Sequence, residues 1–325
     1  MDALLFATGA VLPIVLLVAL GYLLKRVGMI PETMPKQLNR LVFRILLPCH
    51  LFLNIYKIDD LTSIEPGYIL YVLGFTLVFL FLALPAVLAT TKVPGERGAL
   101  SQAIFRSNYA LIGIPLATSL FGEEGAIVAT LLSAFIIPLF NILAVITLTV
   151  FGDGGRVSIK RILLGIVKNP LILSIAIGCL VLGVRALLVR AGVAFRLSDI
   201  TPVFSVAEQL SRCATPIALL SLGAQFSFSA IPTLKRQIVV GTLLRTLVLP
   251  ILALGLAYLL GCFRGAHFAA FVAVFATPVA VSSVPMAQEM GADTRLAGQL
   301  VVFTTLVSGI TIFLYSLVLK AIGIF

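Results

Sequence analysis

The chain has 325 residues, of which 60% are hydrophobic and 11% charged, with a mean hydropathy of +1.16 and a formal net charge of +10. Soluble domains carry about 25% charged residues, so this composition excludes an ordinary soluble enzyme and points to a lipid bilayer as the solvent. The positive charge does not signal nucleic acid: it is scattered through the short connections between apolar runs, as the positive-inside rule requires.

Ten apolar segments are long enough to cross a bilayer: roughly 4–25, 36–56, 67–91, 98–121, 124–151, 167–189, 203–226, 236–262, 266–289 and 295–322. Each meets the requirement of about 20 apolar residues, and unpaired backbone is too costly in lipid for anything but helices. The first segment is too long for a signal peptide and lacks a convincing cleavage site. Of the 23 Lys and Arg residues, 13 fall in connections on one side and 6 on the other. The richer side reads as cytoplasmic, which puts both termini outside an inner (plasma) membrane. Arg185, Arg190 and Arg196 run against that trend.

The second segment carries Leu38-Asn39-Arg40 and then Pro48, followed by Cys49 and His50. The seventh carries Leu210-Ser211-Arg212 and then Pro216, 168 positions after Pro48. The fourth and ninth are interrupted in mid-span. One reads Phe105-Arg106-Ser107-Asn108-Tyr109-Ala110-Leu111-Ile112-Gly113-Ile114-Pro115; the other reads Phe275-Ala276-Thr277-Pro278-Val279-Ala280-Val281-Ser282-Ser283-Val284-Pro285. Pro115 and Pro285 lie 170 positions apart. Two matched spacings in the right order predict an internal repeat. With five spans in each half, an odd number, the second copy inserts upside down. The expected organisation is a first repeat at 1–151, a cytoplasmic linker at 152–168 and a second repeat at 169–325. The linker is rich in Gly and charge, and an amphipathic stretch at Ile159–Ile166 is expected at the membrane surface.

Interrupted spans in corresponding places of two halves are the sequence pointer to a transporter's binding site. Proline removes a backbone donor, and backbone freed inside a membrane must be enclosed by protein or line a watery cavity. The N-termini of the resumed half-helices then favour an anion such as a carboxylate.

Asn108-Tyr109-Ala110-Leu111-Ile112-Gly113-Ile114-Pro115-Leu116 resembles the fourth-span signature of the auxin efflux carrier family, and Pro285-Met286-Ala287-Gln288-Glu289-Met290-Gly291-Ala292-Asp293 resembles its ninth-span signature. The likeness runs over the whole chain. It implies an all-α membrane fold of ten helices in two inverted five-helix repeats, with helices 4 and 9 broken and crossing, as in sodium/proton antiporters and bile-acid symporters. It further implies a secondary carrier for a small organic anion such as malonate, malate or an auxin. The short central linker is similar to that of the bacterial members. Substrate contacts implied by the resemblance are Asn108, Tyr109, Gly113 and Pro115 on one crossing helix, and Thr277, Pro278, Val279, Ser282, Ser283 and Pro285 on the other, with Asn141 facing the site. A homodimer through the scaffold spans is implied in the same way.

Ionisable groups inside a membrane are functional candidates by default. His50, with a pKa range suited to proton coupling, and Gln288 with Glu289, which loosely resemble a sodium-site region, are the coupling candidates. Arg106, Arg44 and Arg212 are expected to snorkel to the cytoplasmic surface, whereas Arg245 sits deep enough for a buried pair. Glu208 precedes Arg212 by a helical turn, the spacing of an ion pair. Gly21 and Gly223 are expected where scaffold helices approach closely. Cys49, Cys179, Cys213 and Cys262 lack metal-ligand spacing, and no phosphate loop or nucleophile–base array is present, so neither a cofactor nor an enzyme activity is expected. A cation-coupled carrier on the same fold and a non-transporting membrane sensor are the rival readings.

Overall fold

A computed structural model describes residues 2–58, 65–152, 159–193 and 195–324. These residues are helical apart from their connections and one isolated bridge. The helices are α1 (Asp2–Arg26), α2 (Met34–Leu41), α3 (Leu47–Tyr56), α4 (Pro66–Thr90), α5 (Pro94–Phe105), α6 (Ile114–Gly152), α7 (Ile159–Lys168), α8 (Pro170–Arg190), α9 (Thr201–Gln225), α10 (Ala230–Leu243), α11 (Leu249–Leu260), α12 (Ala266–Phe275), α13 (Ser283–Glu289) and α14 (Thr294–Ala321). Single π-helical turns at Val42–Leu46, Tyr109–Gly113 and Leu244–Val248 join α2 to α3, open α6 and join α10 to α11.

Six continuous segments are long and apolar enough to cross a membrane: Met34–Tyr56, Pro66–Thr90, Tyr109–Gly152, Pro170–Arg190, Ala230–Leu260 and Thr294–Ala321. The segment Tyr109–Gly152 turns sharply at Phe121–Gly122, where Gly122 takes a φ of +60°. Only glycine adopts that conformation without strain, and it falls at the boundary that hydropathy places between the fourth and fifth apolar segments.

Large apolar side chains cover much of the outside, while polar groups such as Arg106, Asn108, Asn141 and Arg245 are buried within the apolar core. Phe81, Leu82, Leu180, Leu187 and Leu259 are exposed. In water such a surface would drive association; in a bilayer it faces acyl chains. By contrast, α12 is enclosed along almost its whole length, and α5 is enclosed from Gly98 to Phe105. These short helices lead into the two breaks, so the interrupted backbone lies inside protein, as unpaired amides in a membrane must.

Glycine sets one close packing. A methyl group on Gly21 would collide with the carbonyl of Leu220, and one on Gly223 with the carbonyl of Val18. The backbones of α1 and α9 therefore touch, as the sequence reading expects for small residues at a helix interface. α7 has no buried residue and displays Ile159, Leu163, Leu164 and Val167 beside Lys160 and Lys168. This is the amphipathic helix expected in the linker. Residues 153–158 of the expected linker lie outside the described residues.

Candidate functional site

The two breaks meet. α5 ends at Phe105 and helical structure resumes at Tyr109; α12 ends at Phe275 and helical structure resumes at Ser283. Between them the chains run antiparallel for a single bridge, Ser107 to Val279. The Asn108 amide donates to the Pro278 carbonyl at 2.8 Å, and the Ala280 amide donates to the Arg106 carbonyl at 3.1 Å. The Val279 amide donates to Thr304 Oγ1 on α14 at 3.1 Å. Each break thus recovers from the other, and from α14, hydrogen bonds that a continuous helix would have supplied internally.

The prolines play a different part from the one expected. Pro115 is the second residue of α6 and Pro285 the third of α13. Pro285 sits in the first turn of α13, where its missing amide has no helical acceptor, so it starts that helix rather than breaking one. Pro115 follows the π turn Tyr109–Gly113, inside helical structure that has already resumed, and so lies beyond the break rather than at it. The breaks themselves are Arg106–Asn108 and Ala276–Ser282.

A small cavity of about 70 Å³ opens beside the bridge. Its wall includes Arg106, Ser107, Asn108, Tyr109, Asn141, Ser282 and His50. Of the site residues expected from sequence, Asn108, Tyr109, Asn141, Ser282 and His50 therefore come together. The remainder do not line it. Gly113 is packed on α12, where a side chain would meet the Ala273 carbonyl. Thr277 is fully buried, donating to the Ala273 carbonyl at 2.7 Å and lying 3.0 Å from Ser107 Oγ. Pro115, Pro278, Val279, Ser283 and Pro285 are absent from the cavity lining.

Arg106 corrects the sequence reading most strongly. Its side chain does not snorkel; the residue is 3% exposed. Nη1 donates to Gln102 Oε1 at 2.6 Å and lies 2.7 Å from Met286 Sδ, and Nη2 donates to Asn141 Oδ1 at 2.9 Å. All of these partners are neutral, and no carboxylate pairs with Arg106 among the described residues. The physical reason was available in the sequence. Arg106 directly follows the 12-residue helix Pro94–Phe105, whose rise of about 18 Å carries it close to mid-membrane. Asn141, held by donating to the Ile137 carbonyl at 2.9 Å, presents its oxygen to Arg106. Asn108 Nδ2 is buried without any acceptor. The cavity wall thus carries hydrogen-bond donors, the Arg106 guanidinium and the orphan Asn108 amide, with no carboxylate facing them among the described residues.

His50 lies 3.0 Å from Ser211 Oγ through Nδ1 and 3.2 Å from Asn54 Nδ2 through Nε2. An amide donor on Nε2 leaves the proton of the neutral ring on Nδ1.

Gln288 and Glu289 lie elsewhere. Gln288 accepts from Asn39 Nδ2 at 2.9 Å and donates to the Lys36 carbonyl at 3.0 Å. Glu289 faces Arg44 at 3.3 Å and Arg40 at 3.7 Å. These groups fasten the end of α13 to α2 and the π turn after it, outside the cavity. The expected pair of Glu208 with Arg212 is long, at 4.0 Å; the close partner of Glu208 is Lys57, at 2.7 Å.

Arg245, fully buried, pairs with carbonyls and with no carboxylate among the described residues. Its Nε and Nη2 donate to the Thr277 carbonyl at 2.9 and 2.6 Å, Nη2 donates to the Val274 carbonyl at 2.9 Å, and Nη1 lies 3.4 Å from the carbonyls of Ile104 and Phe105. No grouping of three or more His, Cys, Asp or Glu that could hold a metal occurs among the described residues.

Apolar helices around two mutually bonded breaks and a polar cavity define a multi-pass membrane transporter. Residues 6–159 and 155–316 each match the sequence profile of a family described as membrane transport protein. The chain belongs to that family, the auxin efflux carriers. It is similar to an uncharacterized transporter of Methanothermobacter thermautotrophicus, 26% identical over 96% of this chain and 98% of that protein. It is also similar to an uncharacterized transporter of Methanocaldococcus jannaschii, 28% identical over 95% of this chain and 97% of that protein.

Proposed function

We propose that the protein is a secondary carrier that moves a small organic anion across the inner membrane by elevator-type alternating access. The observation that carries this reading is the buried Arg106 guanidinium in the cavity wall, ringed by neutral partners and adjacent to the orphan donor of Asn108. An unneutralised buried cation is expensive, and an anion entering the cavity supplies the missing charge. Ser282 and Asn141 add polar contacts. A mono- or dicarboxylate of the size of malonate or malate suits the small volume better than a bulky auxin.

In this reading the chain crosses the membrane ten times, with both termini outside. Residues 1–151 and 169–325 are inverted repeats joined by the linker 152–168. Support for the repeat comes from Ser107 and Thr277, which stand 170 positions apart and touch each other, as equivalent residues do at a two-fold axis. Spans 3–5 and 8–10 move as one body against a scaffold of spans 1, 2, 6 and 7, through which two copies associate. His50 is the group placed to carry a coupled proton.

Flux of radiolabelled malonate, malate and indole-3-acetate into liposomes, with wild type beside Arg106→Gln and Asn108→Ala, tests the proposal. Flux of one acid that both variants abolish while remaining folded supports it. Unchanged flux in both variants overturns the assignment of the cavity. Specific binding without flux in wild type would favour a sensor, and sodium-dependent uptake a cation-coupled carrier on the same fold.

A further inference from the structure

The α5 and α12 half-helices both end against a single side chain, Arg245, which reaches them from the π turn Leu244–Val248. The last carbonyls of a helix have no internal partners, and each helix C-terminus carries roughly half a negative charge. Two such ends together offer about one negative charge, which matches one guanidinium. The carbonyl oxygens of Ile104, Phe105, Val274 and Thr277 come from both breaks. Half-helix C-termini with unwound carbonyls are the donor set with which sodium-coupled transporters hold their ion. Here the position is filled by a cation that cannot leave.

We infer that Arg245 is a tethered counter-ion that occupies the place of a coupling alkali ion, so that the crossing of the breaks is assembled without sodium. The inference rests on reading the breaks as the transport site, but its test needs no substrate. Its consequence is that transport runs without a sodium gradient, and that removing the guanidinium creates a sodium requirement this protein does not otherwise have. Arg245 is a positioning residue: it touches neither the cavity nor its contents.

Thermal unfolding of the purified full chain, followed by circular dichroism in sodium chloride or in choline chloride at equal ionic strength, tests this. Wild type should melt at the same temperature in both salts. Arg245→Ala should melt several degrees lower in choline, and millimolar sodium or guanidinium should restore much of the loss. Wild type stabilised by sodium over choline would overturn the inference, as would an Ala variant that is as stable as wild type in choline or indifferent to both added cations. Should Arg245→Ala not be recoverable, Arg245→Lys carries the test, because lysine keeps the charge. A folded Lys variant indifferent to sodium supports the inference, and one that requires sodium overturns it. Failure here would leave the anion-carrier proposal standing, since melting does not report on flux.

Discussion

Ser107 and Thr277, one from each break, face each other with their hydroxyl oxygens 3.0 Å apart. Thr277 already donates to the Ala273 carbonyl, so Ser107 is the donor between them. This contact and the backbone bond from Asn108 to Pro278 pin two half-helices that the chain itself separates by more than half its length. Ser107→Ala should leave a buried hydroxyl with one partner fewer. A loss of about 1 kcal/mol is expected, and the double variant with Thr277→Val should lose less than the sum of the two singles. Unfolding in detergent, run as a double-mutant cycle, measures this coupling.

Arg106→Gln removes the charge from the cavity wall while keeping an amide able to meet Asn141. Hydrogen bonds to charged groups contribute about 1.5–3 kcal/mol, so affinity for the transported anion should fall roughly 10- to 100-fold. Isothermal titration with the acid that wild type transports measures it. An unaltered dissociation constant would mean that the anion sits elsewhere.

Gly223→Leu drives a side chain into the Val18 carbonyl. No rotamer avoids a backbone collision at Cβ, so even Gly223→Ala should separate α1 from α9. Overpacking of this kind costs about 1–3 kcal/mol. A lowered melting temperature for both variants is expected; an unshifted Ala variant would show that the helices part without penalty.

Glu289→Gln should matter little. The carboxylate is itself only 11% exposed but faces two arginines that are 63% and 69% exposed at 3.3 and 3.7 Å, and ion pairs open to solvent on one side contribute about 1 kcal/mol or less. Flux within about twofold of wild type is expected, and no change in its response to sodium. Abolished flux would return Glu289 to the coupling machinery and break the separation drawn here between cavity and α13 end.

The amino-acid sequence by itself determined the solvent, the helical character, the two places where helices stop in mid-span and the glycines at the α1–α9 contact. Each of these follows from local chemistry: hydropathy over a span's length, proline and polar residues inside an apolar run, and a missing side chain. Asn108, Asn141, Ser282 and His50 were legible as candidates because a polar group in an apolar segment needs a reason. What only the tertiary structure decided is which of them share a cavity. Thr277, Val279 and Pro285 carry the same sequence signal as Asn108 but face protein, because at an irregular break neither helical nor strand periodicity says where a side chain points. The two arginines show the limit best. Arg106 and Arg245 differ little as letters within apolar spans, yet one faces a cavity among neutral partners and the other is saturated by carbonyls from two breaks. That difference is set by contacts between segments 29 to 180 residues apart in the chain, which no local pattern encodes.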